Sequence, residues 1–292
     1  MTETSALNRT LAAIEPFIPA RFRGDIPVVP VVRLSGVIGV STPLKPGLTI
    51  ASVARALDRA FSTGNARAVA LAINSPGGSA AQSHLIHSRI RQLAAEKQIP
   101  VIAFIEDVGA SGGYMIACAA DEIVCDGSSI VGSIGVVGGS FGLHKLMEKI
   151  GVERRLYTSG ERKAMLDPFL PEDPEDVKRL KAIQSEIHQS FIALVKERRA
   201  GKLSGPEADL FSGEYWTGNK AKEFGLVDVI GDLRGVLRER YGDKVRLPLI
   251  ADRGFFGRKA QGVFGALNAP PDLAEDFVSA IEARAIWARF GL

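Results

Sequence analysis

The chain has 292 residues, 46% of them hydrophobic and 24% charged, with a formal net charge of +3. That balance suits a globular protein with a full core and is too mildly basic to argue for nucleic acid, and no DNA- or RNA-binding motif accompanies it. Two cysteines and four scattered histidines do not make a zinc site; Cys118 and Cys125 lie in apolar surroundings and read as buried thiols.

Met1 to Arg23 lacks the apolar run of a secretory signal, because Arg9, Glu15, Pro16 and Pro19 interrupt it. No segment approaches the ~20 apolar residues that span a bilayer. With the low cysteine count, this points to a cytoplasmic chain whose membrane contact, if there is any, is peripheral. Leu7, Leu11 and Ile14 recur at helical spacing, as in a short amphipathic helix that packs on the body or on a sister subunit in preference to a membrane. The chain divides into an N-terminal arm (1–26), a body (27–251) and a C-terminal tail with a helix (252–292).

Within the body, Pro27 to Leu34 reads as a valine-rich strand, and Ser52 to Ser62 carries the helical stripe Val53, Ala56, Leu57, Ala60, Phe61. A strand from Ala68 to Ile73 ends in the turn Asn74-Ser75-Pro76-Gly77-Gly78, and a helix follows from about Ala80 to Lys97. Pro100 opens a strand from Val101 to Ile105. Ser111 starts a short helix, and Glu122 to Cys125 is a further strand. Strands that are near-continuous apolar runs, alternating with helices, predict a parallel sheet covered on both faces.

From Ser129 to Phe141 the composition turns β-branched and glycine-rich, as in a bent strand or a close approach of two backbones. Leu143 to Ile150 reads as a short helix, Val152 to Tyr157 as a strand, and Thr158 to Pro171 as a charged loop. The longest helix is capped by Asp173, has Pro174 in its first turn followed by Glu175 and Asp176, and runs to about Arg199. A unit from Trp216 to Val229, a helix from Leu233 to Arg240 and a strand from Val245 to Ile250 complete the body. Gly254 to Pro271 reads as an extended tail and Leu273 to Phe290 as a last helix. No internal repeat is present.

The chemistry concentrates at Gly109-Ala110-Ser111-Gly112-Gly113, where the strand gives way to a helix. Flanking glycines allow a sharp turn and leave the hydroxyl open to a substrate. A second glycine turn at Gly77-Gly78 ends a neighbouring strand, so the two turns together can supply a nucleophile and an oxyanion hole. A serine nucleophile needs a base, most often histidine. His84 and His87 lie in one helix, His144 opens another, and His188 is in the middle of the longest; none stands in a late loop as an α/β-hydrolase triad requires, and each reads as surface or structural. Lysine is the other base that serves a serine, and Lys163 lies in the loop Ser159-Gly160-Glu161-Arg162-Lys163.

Five motifs in this order resemble the signal peptide peptidase A family, also called protease IV, a Ser-Lys peptidase family of the Clp-protease and crotonase superfamily. They are Asn74-Ser75-Pro76-Gly77-Gly78, Ala110-Ser111-Gly112-Gly113-Tyr114, Gly132-Ser133-Ile134-Gly135, Gly160 with Lys163, and Trp216-Thr217-Gly218 followed by Ala221 and Gly225-Leu226-Val227-Asp228. The resemblance covers about Val28 to Leu233. It implies an α/β spiral core of crotonase type with parallel strands and helical arms for oligomerisation, with Ser111 as nucleophile, Lys163 as general base and Ser133 orienting the lysine. The oxyanion would meet the backbone N–H of Gly78 and, on superfamily analogy, that of Gly112. No cofactor or metal is implied. Two departures stand out: family members commonly carry an N-terminal transmembrane helix, and some carry two tandem copies.

A lysine base must be neutral; lowering a reference pKa of about 10.4 by ~3 units takes roughly 4 kcal/mol, which burial against apolar groups supplies. The expected function is a serine endopeptidase that cleaves signal-peptide remnants or other unfolded or membrane-derived peptides, working as a homo-oligomer. The alternatives are a crotonase-like acyl-CoA enzyme and a non-catalytic oligomeric scaffold. The first gives the serine and the lysine loop no task, and the intact dyad argues against the second.

Overall fold

The computed structural model describes residues 26–40, 47–160, 162–250, 281 and 284–291. Along them run β1 (Val31–Ser35), α1 (Ile50–Phe61), β2 (Val69–Ser75), α2 (Ala80–Lys97), β3 (Val101–Ala110), α3 (Gly112–Ala117), β4 (Glu122–Cys125) and β5 (Ile130–Gly132). Then come α4 (His144–Ile150), α5 (Pro174–Arg198), α6 (Glu207–Leu210), β6 (Tyr215–Thr217), α7 (Gly218–Glu223), β7 (Val229–Ile230), α8 (Leu233–Tyr241) and β8 (Leu249–Ile250).

These strands form one sheet in the order β6-β5-β3-β2-β1-β8, with β4 pairing β3 and β7 off that path. Every ladder is parallel except β5 against β6. The mixed α/β architecture with a mostly parallel sheet is the one the alternating pattern leads to. β3 changes partner along its length: Ile102–Ile105 pair with β4, and Val108–Ala110 pair with β5. The sheet forks there, and the chain leaves β3 for α3 at the end of the second branch.

Side chains alternate strictly between two cores. Leu34, Leu71, Ile73, Ala103 and Ile105 face the layer of α1, α2 and α3, while Val31, Ala70, Ala72, Ile102 and Phe104 face Val236 and Leu237 of α8. This is the period-2 geometry of a strand buried on both faces. Local signals hold the helices in place. Thr49 and Ser52 form a reciprocal capping box at α1, and the Asp173 carboxylate accepts from the Glu175 N–H at α5.

A buried ion pair ties the end of α5 to β4. Arg199, 2% exposed, donates to both carboxylate oxygens of Asp228 and to the Gly225 carbonyl, and the Ile123 N–H donates to Asp228. Burial works against the Asp228 charge, but the hydrogen bonds from Arg199, Lys202 and Ile123 outweigh it and hold the carboxyl below its usual range. Both cysteines are buried and unpaired, and burial pushes each thiol up to about 12, which makes them inert packing groups.

The structure departs from expectation in two elements. Residues 152–157 form no strand and are exposed throughout, because no neighbouring strand offers a ladder to them. α4 does form, yet buries none of its side chains. The expected strand at 245–250 is mostly irregular and enters the ladder only at Leu249–Ile250. The N-terminal amphipathic stripe and the extended tail lie outside the described residues, as does most of the last helix; residues 284–288 are helical.

His87 is buried on α2 with neither ring nitrogen bonded. Burial lowers its pKa to about 4, aided by the charges of Arg198, His84 and Arg91. The unfolded chain therefore takes up this proton first as the pH falls. The stability that the neutral ring contributes is whole above pH ~6.5 and is lost toward pH ~4, a swing of about 3 kcal/mol. Urea unfolding of wild type and His87→Phe across that range should show the variant gaining on wild type as acid is added; a constant difference would refute the assignment.

Candidate active site

Ser111 stands between β3 and α3 with φ 52° and ψ −122°, a conformation that costs a non-glycine residue about 1–3 kcal/mol and persists only where its surroundings enforce it. The enforcing contacts are visible. The Ser111 N–H donates to the Gly132 carbonyl at 2.8 Å, and Met115 N–H donates to the Ser111 carbonyl at 2.9 Å to start the helix. The other glycine turn presses on it from the side. A Cβ on Gly77 would lie 2.8 Å from the Ser111 Cβ and 2.9 Å from the Gly112 nitrogen.

Gly78 meets the chain after β1 just as closely; a Cβ there would lie 2.1 Å from the Ile38 carbonyl oxygen, and its φ is +141°. The bridge at this point uses the Gly77 carbonyl and the Ser79 N–H, each bonded to Ile38 at 2.8 Å, and not the Gly78 N–H. Gly112 is the first residue of α3, so its N–H has no acceptor within the helix.

Ser111, Gly78, Gly112 and Ser133 line one groove of about 540 Å³. Its apolar walls come from Met115, Val136 and Val137 and from Ile187 and Phe191 of α5, and its far end from Ile286, Arg289 and Phe290. The terminal segment is fastened by the Tyr215 hydroxyl, which donates to the Arg289 carbonyl at 3.1 Å, and by an edge contact of Tyr215 with Phe290. Ser133 is buried with φ 52°, and its N–H donates to the Glu214 carbonyl at 2.6 Å. A larger cavity of about 870 Å³, lined by Phe104, Glu106, Asp126 and Leu249 among others and sharing Phe290 with the groove, contains none of the site residues singled out in the sequence.

Lys163 is not a lining residue of the groove. It is exposed in the 158–171 loop, in a turn closed by its own N–H to the Gly160 carbonyl, and its amine has no partner among the described residues. Two contacts tie the loop to the residues flanking α4, and together they form a flap: Leu143 N–H donates to the Pro168 carbonyl, and Arg154 pairs with Asp167. The flap and the segment before it expose large apolar side chains, Phe141 at 83% and Tyr157 at 88%. Four of the five residues singled out in the sequence thus share one groove, and the fifth stands apart from it.

One groove residue escaped the sequence reading. His188, set aside there as a mid-helix residue, lines the groove, and its Nε2 lies 3.0 Å from the Ile134 carbonyl oxygen. Its spacing to Phe191 and Val195, both buried, was the available signal, since the three share one helix face.

Residues 94–244 match the family model for Peptidase family S49. The chain belongs to peptidase family S49. This agrees with the resemblance of its motifs to signal peptide peptidase A. The chain is 54% identical over 287 residues to a protein of Brucella abortus named Na(+)/H(+) antiporter NhaA, covering 96% of this chain and 39% of that protein. It is 36% identical over 171 residues to the chloroplastic serine protease SPPA of Arabidopsis thaliana, covering 57% of this chain and 24% of that one. Among solved structures, a membrane-bound stomatin-specific protease, 1510-N, matches with a TM-score of 0.45 at 19% identity over 77% of this chain and 93% of that chain. The chain therefore spans well under half the length of the Brucella and Arabidopsis relatives.

The contact between the two glycine turns can be probed. Gly77→Ala should destabilise the fold by on the order of 1–3 kcal/mol and sharply slow labelling of Ser111 by a fluorophosphonate. Gly151→Ala, also at positive φ but with nothing within 4 Å of the added carbon, should leave labelling unchanged. Equal labelling in the two variants would show that Gly77 does not shape the serine turn.

Proposed function

We propose that this chain is a serine peptidase in which Ser111 attacks a peptide carbonyl and Lys163 serves as the base. The observation that carries the reading is the strained Ser111 at the β3–α3 turn, sharing a groove with Gly78 and Gly112. In this reading the Ser111 oxygen adds to the carbonyl as Lys163 takes its proton. The Gly78 and Gly112 amides hold the oxyanion, and the lysine returns the proton to the leaving amine. Water then hydrolyses the acyl-enzyme with the same lysine as base. An oxyanion donor of this kind contributes about 3–4 kcal/mol. Ser133 orients the lysine amine. The apolar walls suit peptides with small or apolar side chains near the cut, which includes signal-peptide remnants.

The flap must cover the groove for the dyad to form, and its bare apolar side chains supply the drive. A second copy of this chain packed over Phe141 and Tyr157 would remove them from water, shield the lysine amine and disfavour its ammonium form. The body at 27–251 would then be the peptidase unit and the terminal arms part of the assembly. No helix among the described residues is long and apolar enough to cross a membrane. A cytoplasmic address with at most peripheral membrane contact fits the composition.

Ser111→Ala and Lys163→Ala should each lower peptide cleavage by at least about 10³-fold while unfolding midpoints stay put, and the double variant should be no worse than either, since the two groups act as a unit. Lys163→Arg should fail as well, because a guanidinium does not give up its proton. Near-normal turnover by Lys163→Ala would overturn the dyad. Sedimentation offers a separate check: wild type should run as an oligomer, and Phe141→Ser with Tyr157→Ser should shift it to smaller species.

A further inference from the structure

We propose that His188 is a positioning residue for the peptidase reaction: through Nε2 it holds the Ser133–Gly135 turn in place against Ser111. The inference rests on the serine peptidase reading and extends it to a residue that the Ser-Lys chemistry leaves unused.

The turn it grips is poorly supported otherwise. The ladders of β5 end at Gly132 on both sides. Beyond that point Ser133 adopts φ 52°, which an L-residue with a side chain does not hold unaided. One backbone bond ties it to a neighbouring segment, Ser133 N–H to the Glu214 carbonyl at 2.6 Å, and one closes the turn on itself, Gly135 N–H to the Ser133 carbonyl at 3.0 Å. From α5 comes His188, half-buried between the groove-lining Ile187 and Phe191. Its Nε2 is 3.0 Å from the Ile134 carbonyl oxygen, and a carbonyl only accepts, so Nε2 carries the proton. This is the one side-chain hydrogen bond made to residues 133–142 among the described residues.

The linkage to the nucleophile is short. Ile134 follows Ser133, Ser133 follows Gly132, and the Gly132 carbonyl accepts the Ser111 N–H at 2.8 Å. His188 therefore braces α5 against the wall of the groove that faces the reacting serine. Loss of the brace lets that wall, with the Ser133 hydroxyl, drift from the geometry that the reaction needs. Misplacement by about 1 Å costs on the order of 10²-fold in rate. His188 acts through Ile134 and Ser133 and takes no proton from Ser111, which separates it from a triad base.

The test uses the full chain and three variants, read by kcat and KM on a fluorogenic apolar peptide, by fluorophosphonate labelling of Ser111, and by urea unfolding. His188→Ala should lower kcat 10- to 100-fold with KM changed less than about 3-fold and the unfolding midpoint little moved. His188→Gln places an amide N–H near the Nε2 position and should recover most of that loss. Should the alanine variant fail to fold, His188→Phe keeps the packing without the donor and should show the same fall in kcat. Wild-type kcat in the alanine or phenylalanine variant overturns the proposal. A folded glutamine variant as inactive as the alanine one also overturns it, since the ring would then act chemically. A wild-type chain that neither cleaves peptide nor labels at Ser111 defeats the peptidase reading itself, and the role of His188 with it.

Discussion

The site depends on one contact between backbones. The turn after β2 and the turn after β3 meet so closely that Gly77 has no room for a side chain beside Ser111, and Gly78 has none beside Ile38. Glycine is needed there for space as much as for its φ. The contact aligns the ends of β1, β2 and β3 in one layer, so the Gly78 amide and the Ser111 side chain border the same groove. Strain at Ser111 is then a consequence of packing: the residue is held at positive φ because both of its neighbours are fixed by other chains of contact.

Behind the serine, α3 is secured at its far end by an unusual concentration of positive charge. The carbonyls of Cys118 and Ala120 accept from the Arg198 guanidinium, and that of Ala119 accepts from Arg91, which satisfies the orphan acceptors beyond a short helix. Burial favours the neutral form of His87, and the charges of the same guanidiniums add to it. The very next residue after Arg198, Arg199, engages Asp228, so the end of α5 locks both α3 and the segment that joins α7 to β7. A buried pair like this adds little net stability over an apolar replacement, but removal of one partner alone leaves an uncompensated charge and costs about 3–5 kcal/mol. α5 thus has two tasks, a structural one at its C-terminal end and a groove-lining one at Ile187, His188 and Phe191.

The flap contrasts with this frame. α4 and residues 152–157 bury almost nothing, and they carry apolar side chains that a monomer leaves in water. The frame holds Ser111 at the rim of the sheet, while the flap leaves apolar side chains that the described residues do not cover.

Much of this was legible without a structure. Apolar runs bounded by glycine turns identify β1, β2 and β3, because a strand buried on both faces needs no polar alternation. Asp173, Pro174 and the acidic first turn mark the start of α5, because capping is local chemistry. Ser111 between glycines, with Gly77 and Gly78 at a second turn, designates the groove, because only glycine permits such an approach. The same logic failed at 152–157, where the β-branched and aromatic residues suggest a strand but the ladder a strand requires is a long-range partner. Only the tertiary structure decided that His188 of α5 faces Ile134, and that the end of the chain reaches Tyr215. It also decided that Lys163 stands outside the groove of its own chain. Those relations join residues tens of positions apart through packing, and local sequence carries periodicity and turn chemistry but no distance between elements.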